Sequence, residues 1–523
     1  MNLQKTLMPR LLPALIAVGV AGCYQYQPPA EIFEGTSFSA TAHAETDKML
    51  EGLSELSLER AQQIALINNP SIVSAYHAVN AAKMRYYQAI GQYSPTLNAG
   101  FDTNFGTARV SKATNGTVTD WGDSFSTNTS ISANWLLFDG LAREFTMLQG
   151  RHALAQSQLA EEDAKRILMR AVTYAYYDIL SAEAASGIAR QDLKFQLQNL
   201  EETELKLEVG AVNLSDVLNF KIRVNAAQSN LIAATYNYEV AVYALAVLMG
   251  YPEGTLPGSV TFPKLPSTVD ELVLSVDSYL DIALANRPDL KAYREAVTIA
   301  KYEEYKKYSA YSPTISAYSS MNFATSRSHT YPKGEVADDY EPYSYSARPN
   351  FTVGVSANWT LFNGFIRYNQ MREAQASLAQ NRYELANVWL TVVNEVRGSY
   401  ANYLNQVKQA KLYAKTLQLV IKQRDLVQEE YRSGNCELTR LNEAETNLVS
   451  SQTDLINAMV NVYRAKAQLS AAVYGQIDTV TVPADPEYPD FMASISFNDP
   501  ELLNIGNEDH IQSVNDTVKK AEY

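Results

Sequence analysis

Asn350-Phe-Thr-Val-Gly-Val-Ser-Ala-Asn-Trp-Thr-Leu-Phe-Asn-Gly-Phe-Ile-Arg367 is the stretch whose reading decides the fold. Phe351, Val353, Val355, Ala357, Trp359 and Leu361 alternate with Thr352, Gly354, Ser356, Asn358 and Thr360, the two-residue period of a strand with one apolar and one polar face. After Phe362-Asn363-Gly364 the period changes. No Gly or Pro occurs until Gly398 and the apolar residues take helical spacing, so the strand feeds directly into a very long helix. The same device stands earlier in the chain. Ser132-Ala-Asn-Trp-Leu-Leu-Phe-Asp-Gly-Leu-Ala-Arg143 matches Ser356 to Arg367 nearly residue for residue, and Ile131, Ala133, Trp135 and Leu137 carry the same alternation. The chain contains an internal repeat.

Outward from these two junctions, each half follows one programme. In the first half, Leu56 to Asn69 reads as a short amphipathic helix with Ser57 at its N-cap, Asn69-Pro70 resets the chain, and Ser71 to Tyr93 forms a second helix. Strands are expected at about 95–106 and 124–138, joined by a polar loop from Gly106 to Gly122. The helix from Leu141 to Val209 would be about 100 Å long, more than one globular core needs, and reads as coiled coil. Gly210 to Asp216 is a tight turn with Gly210 suited to a left-handed C-cap, and a helix from Val217 to Met249 returns. This first repeat occupies residues 53–265, and the second occupies 266–476. There Asn286-Arg287-Pro288 answers Asn68-Asn69-Pro70, and Tyr311-Ser-Pro-Thr-Ile315 answers Tyr93-Ser-Pro-Thr-Leu97. Strands at about 313–325 and 350–362, a polar loop from Ser326 to Pro349, a long helix from Phe365 to Arg432, a tip turn at about 434–439 and a return helix to Tyr474-Gly475 follow. Residues 477–523 read as an acidic, mostly irregular tail.

The N-terminus has the pattern of a secretory signal. Lys5 and Arg10 precede an apolar run, Leu11 to Val20, that is too short to span a bilayer. Val20-Ala21-Gly22-Cys23 closes it and resembles a bacterial lipobox, which implies that residues 1–22 are removed, that Cys23 carries a covalent lipid such as palmitate, and that Tyr24 permits sorting to the outer membrane. A plain signal peptide containing a Cys is the alternative. Residues 23–52 then form a tether, and Cys436, the second of 2 cysteines, has no intramolecular partner. A formal charge of −14 argues against nucleic acid as a partner.

Two-faced strands joined by polar loops in an exported chain match outer-membrane barrel strands. Four strands cannot close a barrel alone, since closure needs about eight, and lipid does not tolerate an open edge. The barrel is therefore shared among protomers, while the charged helices project into the periplasm. An enzyme reading finds no support: the 5 His residues have no metal-ligand spacing, and there is no phosphate-cradling loop or nucleophile elbow.

The Leu-Phe-Asp-Gly junction at Leu137 to Gly140, its copy at Leu361 to Gly364, the Asn-x-Pro elements, the glycine-headed tips and the lipobox resemble those of TolC-like outer-membrane factors, over roughly residues 50 to 475. The resemblance implies a fold that is mainly α with a β-barrel portion: a homotrimer in which each protomer gives four strands to a twelve-stranded barrel, continued by a periplasmic α-helical coiled-coil tunnel. It implies passive conduction, with an inner-membrane transporter supplying the energy and a periplasmic adaptor joining it to the tunnel. Small-molecule efflux is the favoured cargo class. Protein secretion is one alternative and a non-conducting envelope scaffold lipoprotein another. The resemblance further places the gate at Asp216, Asn219, Arg440 and Glu443. Arg440 departs from an acidic gate, so links from Arg440 to Asp216 or Glu443 are expected, with ordinary solvated charges as the alternative. The tips, marked by Gly210, Ser215, Gly434 and Thr439, are the expected adaptor contacts. Trp135 and Trp359 are expected in an interfacial aromatic belt or in a packed junction between strands and helices. No cofactor is expected apart from the lipid on Cys23.

Overall fold

The computed structural model describes residues 55–114, 117–257, 260–265, 268–332, 343–475, 477 and 479–483; the expected lipidation site Cys23 and most of the tail lie outside them. In chain order the elements are α1 (Leu58–Asn68), α2 (Pro70–Gly91), β1 (Thr96–Thr114), β2 (Thr117–Phe138), α3 (Ala142–Glu208) and α4 (Leu214–Leu248), then β3 (Thr268–Leu272), α5 (Val276–Asn286), α6 (Pro288–Ser309), β4 (Thr314–Pro332), β5 (Tyr343–Asn358), α7 (Ile366–Arg432), α8 (Leu438–Val473) and β6 (Thr479–Pro483). The duplication is explicit in this order. Helices α3 and α7 each run 67 residues, a length of about 100 Å at 1.5 Å per residue.

β1, β2, β4 and β5 form one antiparallel sheet in the order β1-β2-β4-β5. The strands reach well beyond the expected ones. Residues 106–114 and 117–122, read as a loop, belong to the strands: Gly106 faces Ser124, Ala108 faces Gly122 and, after a register shift between Arg109 and Lys112, Thr114 faces Thr117. Their Thr, Ser and Gly content imitates a loop, but Thr suits a pleated surface and no Pro interrupts the ladder. β5 departs at both ends: it starts at Tyr343, inside the expected loop Ser326 to Pro349, where Tyr343 faces His329, and it ends at Asn358 rather than at 362 because Asn358 already faces Thr314, the first residue of β4. β2 reaches Phe138 because a second neighbour, β4, pairs with it there.

Small helices pack against the middle of the long ones. In the first repeat Leu56, Ile64, Val172, Tyr176, Ile179, Leu245 and Met249 share one buried cluster; in the second, Tyr279, Val392, Val396, Tyr403, Leu469 and Val473 share another. Tyr176 Oη donates to Leu56 O at 2.9 Å and Tyr403 Oη to Asp270 O at 2.7 Å, so in each half a long-helix tyrosine anchors the segment that leads into a small helix. The residues before Pro70 and Pro288 act alike. Asn69 Nδ2 donates to Leu248 O at 2.9 Å and Arg287 Nη1 to Ala472 O at 3.2 Å, so each satisfies a carbonyl that its return helix leaves open. Arg287 also grips Asp289 and Glu395, both at 2.6 Å.

Two further elements depart from expectation. β6 pairs antiparallel with β3, Thr268 to Pro483 through Leu272 to Thr479, so the start of the tail belongs to the folded body. The return helices begin earlier than read, at Leu214 and Leu438, which puts Ser215 and Thr439 inside their first turns. α4 is long and apolar enough to cross a membrane by length and composition alone, but it packs along α3 and leaves a stripe including Leu218, Ile222, Ile232, Tyr236, Tyr243 and Val247 exposed.

Candidate functional site

The sheet is sorted by parity. Over the body of the sheet, between the register shifts near Arg109, Thr119 and Leu136, odd positions face odd positions: Phe101 with Thr129, Ile131 with Met321, Ala317 with Val355 and Met321 with Phe351. One face therefore carries Leu97, Phe101, Phe105, Ile131, Met321, Phe351 and Val353, exposed to the surroundings. Even positions put Asn98, Asp102, Asn128, Ser130, Asn322 and Thr352 on the other face. The apolar face suits lipid and the polar face suits water. Among the described residues β1 and β5 each have one neighbour, so both outer edges of the sheet are open.

The strand-to-helix junctions are built alike in both halves. Gly140 (φ 70) and Leu141 (φ 72), and likewise Gly364 (φ 67) and Phe365 (φ 64), stand in the left-handed region, turning the strand into the helix within two residues. An arginine holds each turn. Arg143 Nη1 donates to Leu136 O at 2.7 Å and Nη2 to Leu137 O at 3.1 Å, while the Asp139 carboxylate accepts from the Arg143 backbone N–H at 3.1 Å. Arg367 donates to Leu361 O and Ala310 O, both at 2.9 Å, and Asn363 takes the place of Asp139. Each guanidinium lies over a tyrosine, Arg143 over Tyr93 at 4.9 Å and Arg367 over Tyr311 at 5.0 Å. The expected belt residues stand at the same place. Trp135 Nε1 donates to Tyr93 O at 2.9 Å and Trp359 Nε1 to Tyr311 O at 3.0 Å, so each ring reaches the turn that precedes the first strand of its hairpin and stays partly exposed.

At the far ends Gly210 (φ 72) and Gly434 (φ 76) close the long helices. Ala211 N–H reaches Lys206 O at 2.8 Å and Asn435 N–H reaches Glu430 O at 2.9 Å, the six-to-one closure of a glycine-capped helix. Asp216 Oδ2 accepts from Asn213 N–H at 3.3 Å and so caps α4. Asn219 Oδ1 accepts from Arg223 Nε at 3.2 Å, and Glu443 is exposed on α8. Arg440 pairs with Glu430 at 3.1 Å, not with Asp216 or Glu443 of its own protomer, because Glu430 lies on the outgoing helix of the same hairpin. Cys436 is half-buried against Val427 and Leu441 beside the tip.

Just above the tips the two hairpins meet through a polar layer that the sequence reading missed. Glu445 is 6 % exposed and its Oε2 has no hydrogen-bond partner. Gln196, buried on α3, donates to Asp192 at 3.0 Å, and Arg424 pairs with Asp425 on α7 at 3.1 Å. Burial pushes the Glu445 carboxyl up to about 7; Arg424 pulls it down, and Asp192 and Asp425 raise it further. Among the described residues no group of His, Cys, Asp and Glu is placed to hold a metal ion.

The chain matches the family model described as outer membrane efflux protein over residues 61–251 and 279–473. It is 22% identical over 470 residues to the outer membrane protein TolC of Escherichia coli, covering 89% of this chain and 86% of that protein. It is 25% identical over 429 residues to the alkaline protease secretion protein AprF of Pseudomonas aeruginosa, covering 80% and 82% of the two chains. The outer-membrane channel OprN shares the fold with a TM-score of 0.65 at 17% identity, over 86% of this chain and 98% of that one.

Proposed function

Because the chain belongs to the outer membrane efflux protein family, and is an outer-membrane channel rather than an enzyme, we propose that it is the exit duct of a tripartite export system. Three copies give four strands each to one twelve-stranded barrel, and the long helices continue it as a tunnel through the periplasm. Flow is passive. An inner-membrane transporter supplies energy, and a periplasmic adaptor docks on the tips at Gly210, Ser215, Gly434 and Thr439. Asp216, Asn219, Arg440 and Glu443 line the constriction, where rings of charge set selectivity. Cys23 carries the lipid that adds a second hold on the outer membrane.

One observation carries this reading: a four-stranded sheet, apolar on one face and polar on the other, has two open edges and continues into helices of about 100 Å. A scaffold lipoprotein has no use for such a sheet. Small molecules are the favoured cargo, on the match to the efflux family model together with the lipobox and Arg440; protein export is the second reading, favoured by the similarity to AprF. A clean deletion in the native host separates the two. Raised sensitivity to dyes and antibiotics with an unchanged set of secreted proteins supports small-molecule efflux. Loss of one secreted protein with unchanged sensitivity supports protein export and overturns the first cargo assignment.

A further inference from the structure

The internal repeat also states how the copies meet, an inference that rests on the shared-barrel reading. The two halves correspond element by element, with an offset of 218 residues up to the first strand of each hairpin and 224 after its second: Thr96 faces Asn134 in the first hairpin and Thr314 faces Asn358 in the second, and Tyr93-Ser94-Pro95 corresponds to Tyr311-Ser312-Pro313. Within one copy the halves join where β2 lies against β4 and α6 lies along α3. β5 and α7 are the counterparts of β2 and α3, and β1 and α2 are the counterparts of β4 and α6. The outer edges of β1 and β5 are open.

We propose that the next copy seats its β1 and α2 on β5 and α7 in the geometry of this internal joint, in a fixed register closed by an ion pair between Glu373 and Arg85 of the next copy. The register follows from the internal one, in which Ser132 faces Ser320, Ala133 faces Ser319 and Ile131 faces Met321. Carried over, Ser356 faces Asp102 of the next copy, Ala357 faces Phe101 and Val355 faces Thr103. Odd positions again meet odd positions, so the apolar face continues unbroken across the seam. A slip by one residue would put Phe101 beside Ser356 and turn one copy inside out.

The helices carry the same inference independently. Gln149 Nε2 donates to Glu303 Oε2 at 2.8 Å across α3 and α6. Their counterparts are Glu373 on α7 and Arg85 on α2, both exposed and with no ion pair among the described residues. A neutral–charged hydrogen bond inside the copy thus becomes a pair of opposite charges between copies. Tyr302 and Tyr305 pack on Phe145, with ring centroids at 6.3 and 5.7 Å. Their counterparts on α2, Met84 and Tyr87, are 50% and 49% exposed. At Gly140 an added Cβ would come within 2.6 Å of Ser309 O, whereas Gly364 opens on empty space that Gly91 and Ser94 of the next copy are placed to fill. One contact does not transfer: His152 and Glu295, 2.6 Å apart, correspond to Ala376 and His77.

Cross-linking tests the register. Asp102→Cys and Ser356→Cys are combined in the full chain, expressed in the outer membrane and oxidised; an antiparallel pair sits within disulfide reach. Covalent trimer on a non-reducing gel is expected, while Asn104→Cys with Ser356→Cys, two residues out of register, stays monomeric after boiling. Arg85→Glu or Glu373→Arg alone lowers the temperature at which the native oligomer dissociates, and the double reversal restores it. A native oligomer that cross-links only through the shifted pair, or that the charge reversals leave unmoved, overturns the proposed seam and leaves the shared barrel standing. A wild-type protein that is monomeric in mild detergent and in membranes overturns both.

Discussion

Arg143 offers the sharpest test of how the strand is joined to the helix. Replacing it with Met keeps most of the aliphatic stem and removes the fork that holds Leu136 O and Leu137 O, the contact with Asp139 and the stacking on Tyr93. Hydrogen bonds from a charged donor contribute about 1.5–3 kcal/mol each, and removing one partner of a buried charge pair costs about 3–5 kcal/mol. Arg143 is 7% exposed and the Asp139 side chain 10%, so the loss falls near the upper figure, about 4 kcal/mol. The readout is the urea midpoint of the purified protein in detergent, followed by circular dichroism. Arg143→Lys tests the geometry, because an ammonium reaches one carbonyl but cannot fork to two while stacking on a ring. It should recover less than half of the loss. A Met variant as stable as wild type, or a Lys variant that restores stability in full, would refute the latch.

The other predictions concern Arg287, the buried Glu445, the second tip and the anchor. Arg287→Met removes the cation that Asp289 and Glu395 share, leaving Glu395 only the longer ion pair with Arg170 at 4.0 Å, and should cost about 3–5 kcal/mol. Burial alone would raise the Asp289 carboxyl, but its bonds to Arg287 hold it below the ordinary range; that stability, present above the unfolded value, fades as pH falls through the folded one, and the Met variant should lack this acid-induced loss. Glu445 has the opposite sign. Packed hairpins keep its proton up to about 7, so their cohesion is full below the ordinary value of 4.5 and declines as pH rises between the two, by on the order of 3 kcal/mol. Protection factors of the amides around 190–200 and 440–448, taken relative to the base-catalysed intrinsic rate, should fall over that range and stay flat with pH in Glu445→Gln. Gly434→Ala forces a side chain into a left-handed position and should cost about 1 kcal/mol, visible as faster exchange at the second tip alone. Cys23→Ser should abolish incorporation of labelled palmitate.

How much of this was legible in the sequence depended on the distance over which each feature is decided. The junctions at Leu137 to Gly140 and Leu361 to Gly364 were legible because strand period, turn glycine and helix onset are local and occur twice. The full length of β1 and β2 was not, because residues 106–122 have the composition of a loop and only the opposing strand makes them a ladder. β3 and β6 are five residues each and distant in sequence, so nothing local marks their pairing. The arginines of the latch were visible as a repeated residue, but their grip on Leu136 O and Leu361 O depends on how the chain folds back at the glycine. The early start of α4 has a local signal in the sequence: Asn213 followed by Asp216 three residues on is a helix-start pair. Glu445 gave no signal, since its burial depends on the rotation of α8 against α3 and α7.

The central claim, a shared water-filled duct, is tested most directly by electrical recording from the purified full-length protein in a planar lipid bilayer. The account predicts discrete current steps of one repeated size, carried by an oligomer whose spectrum contains β-structure alongside helix. A folded protein that inserts at the same density as a conducting porin control and passes no current steps would contradict it.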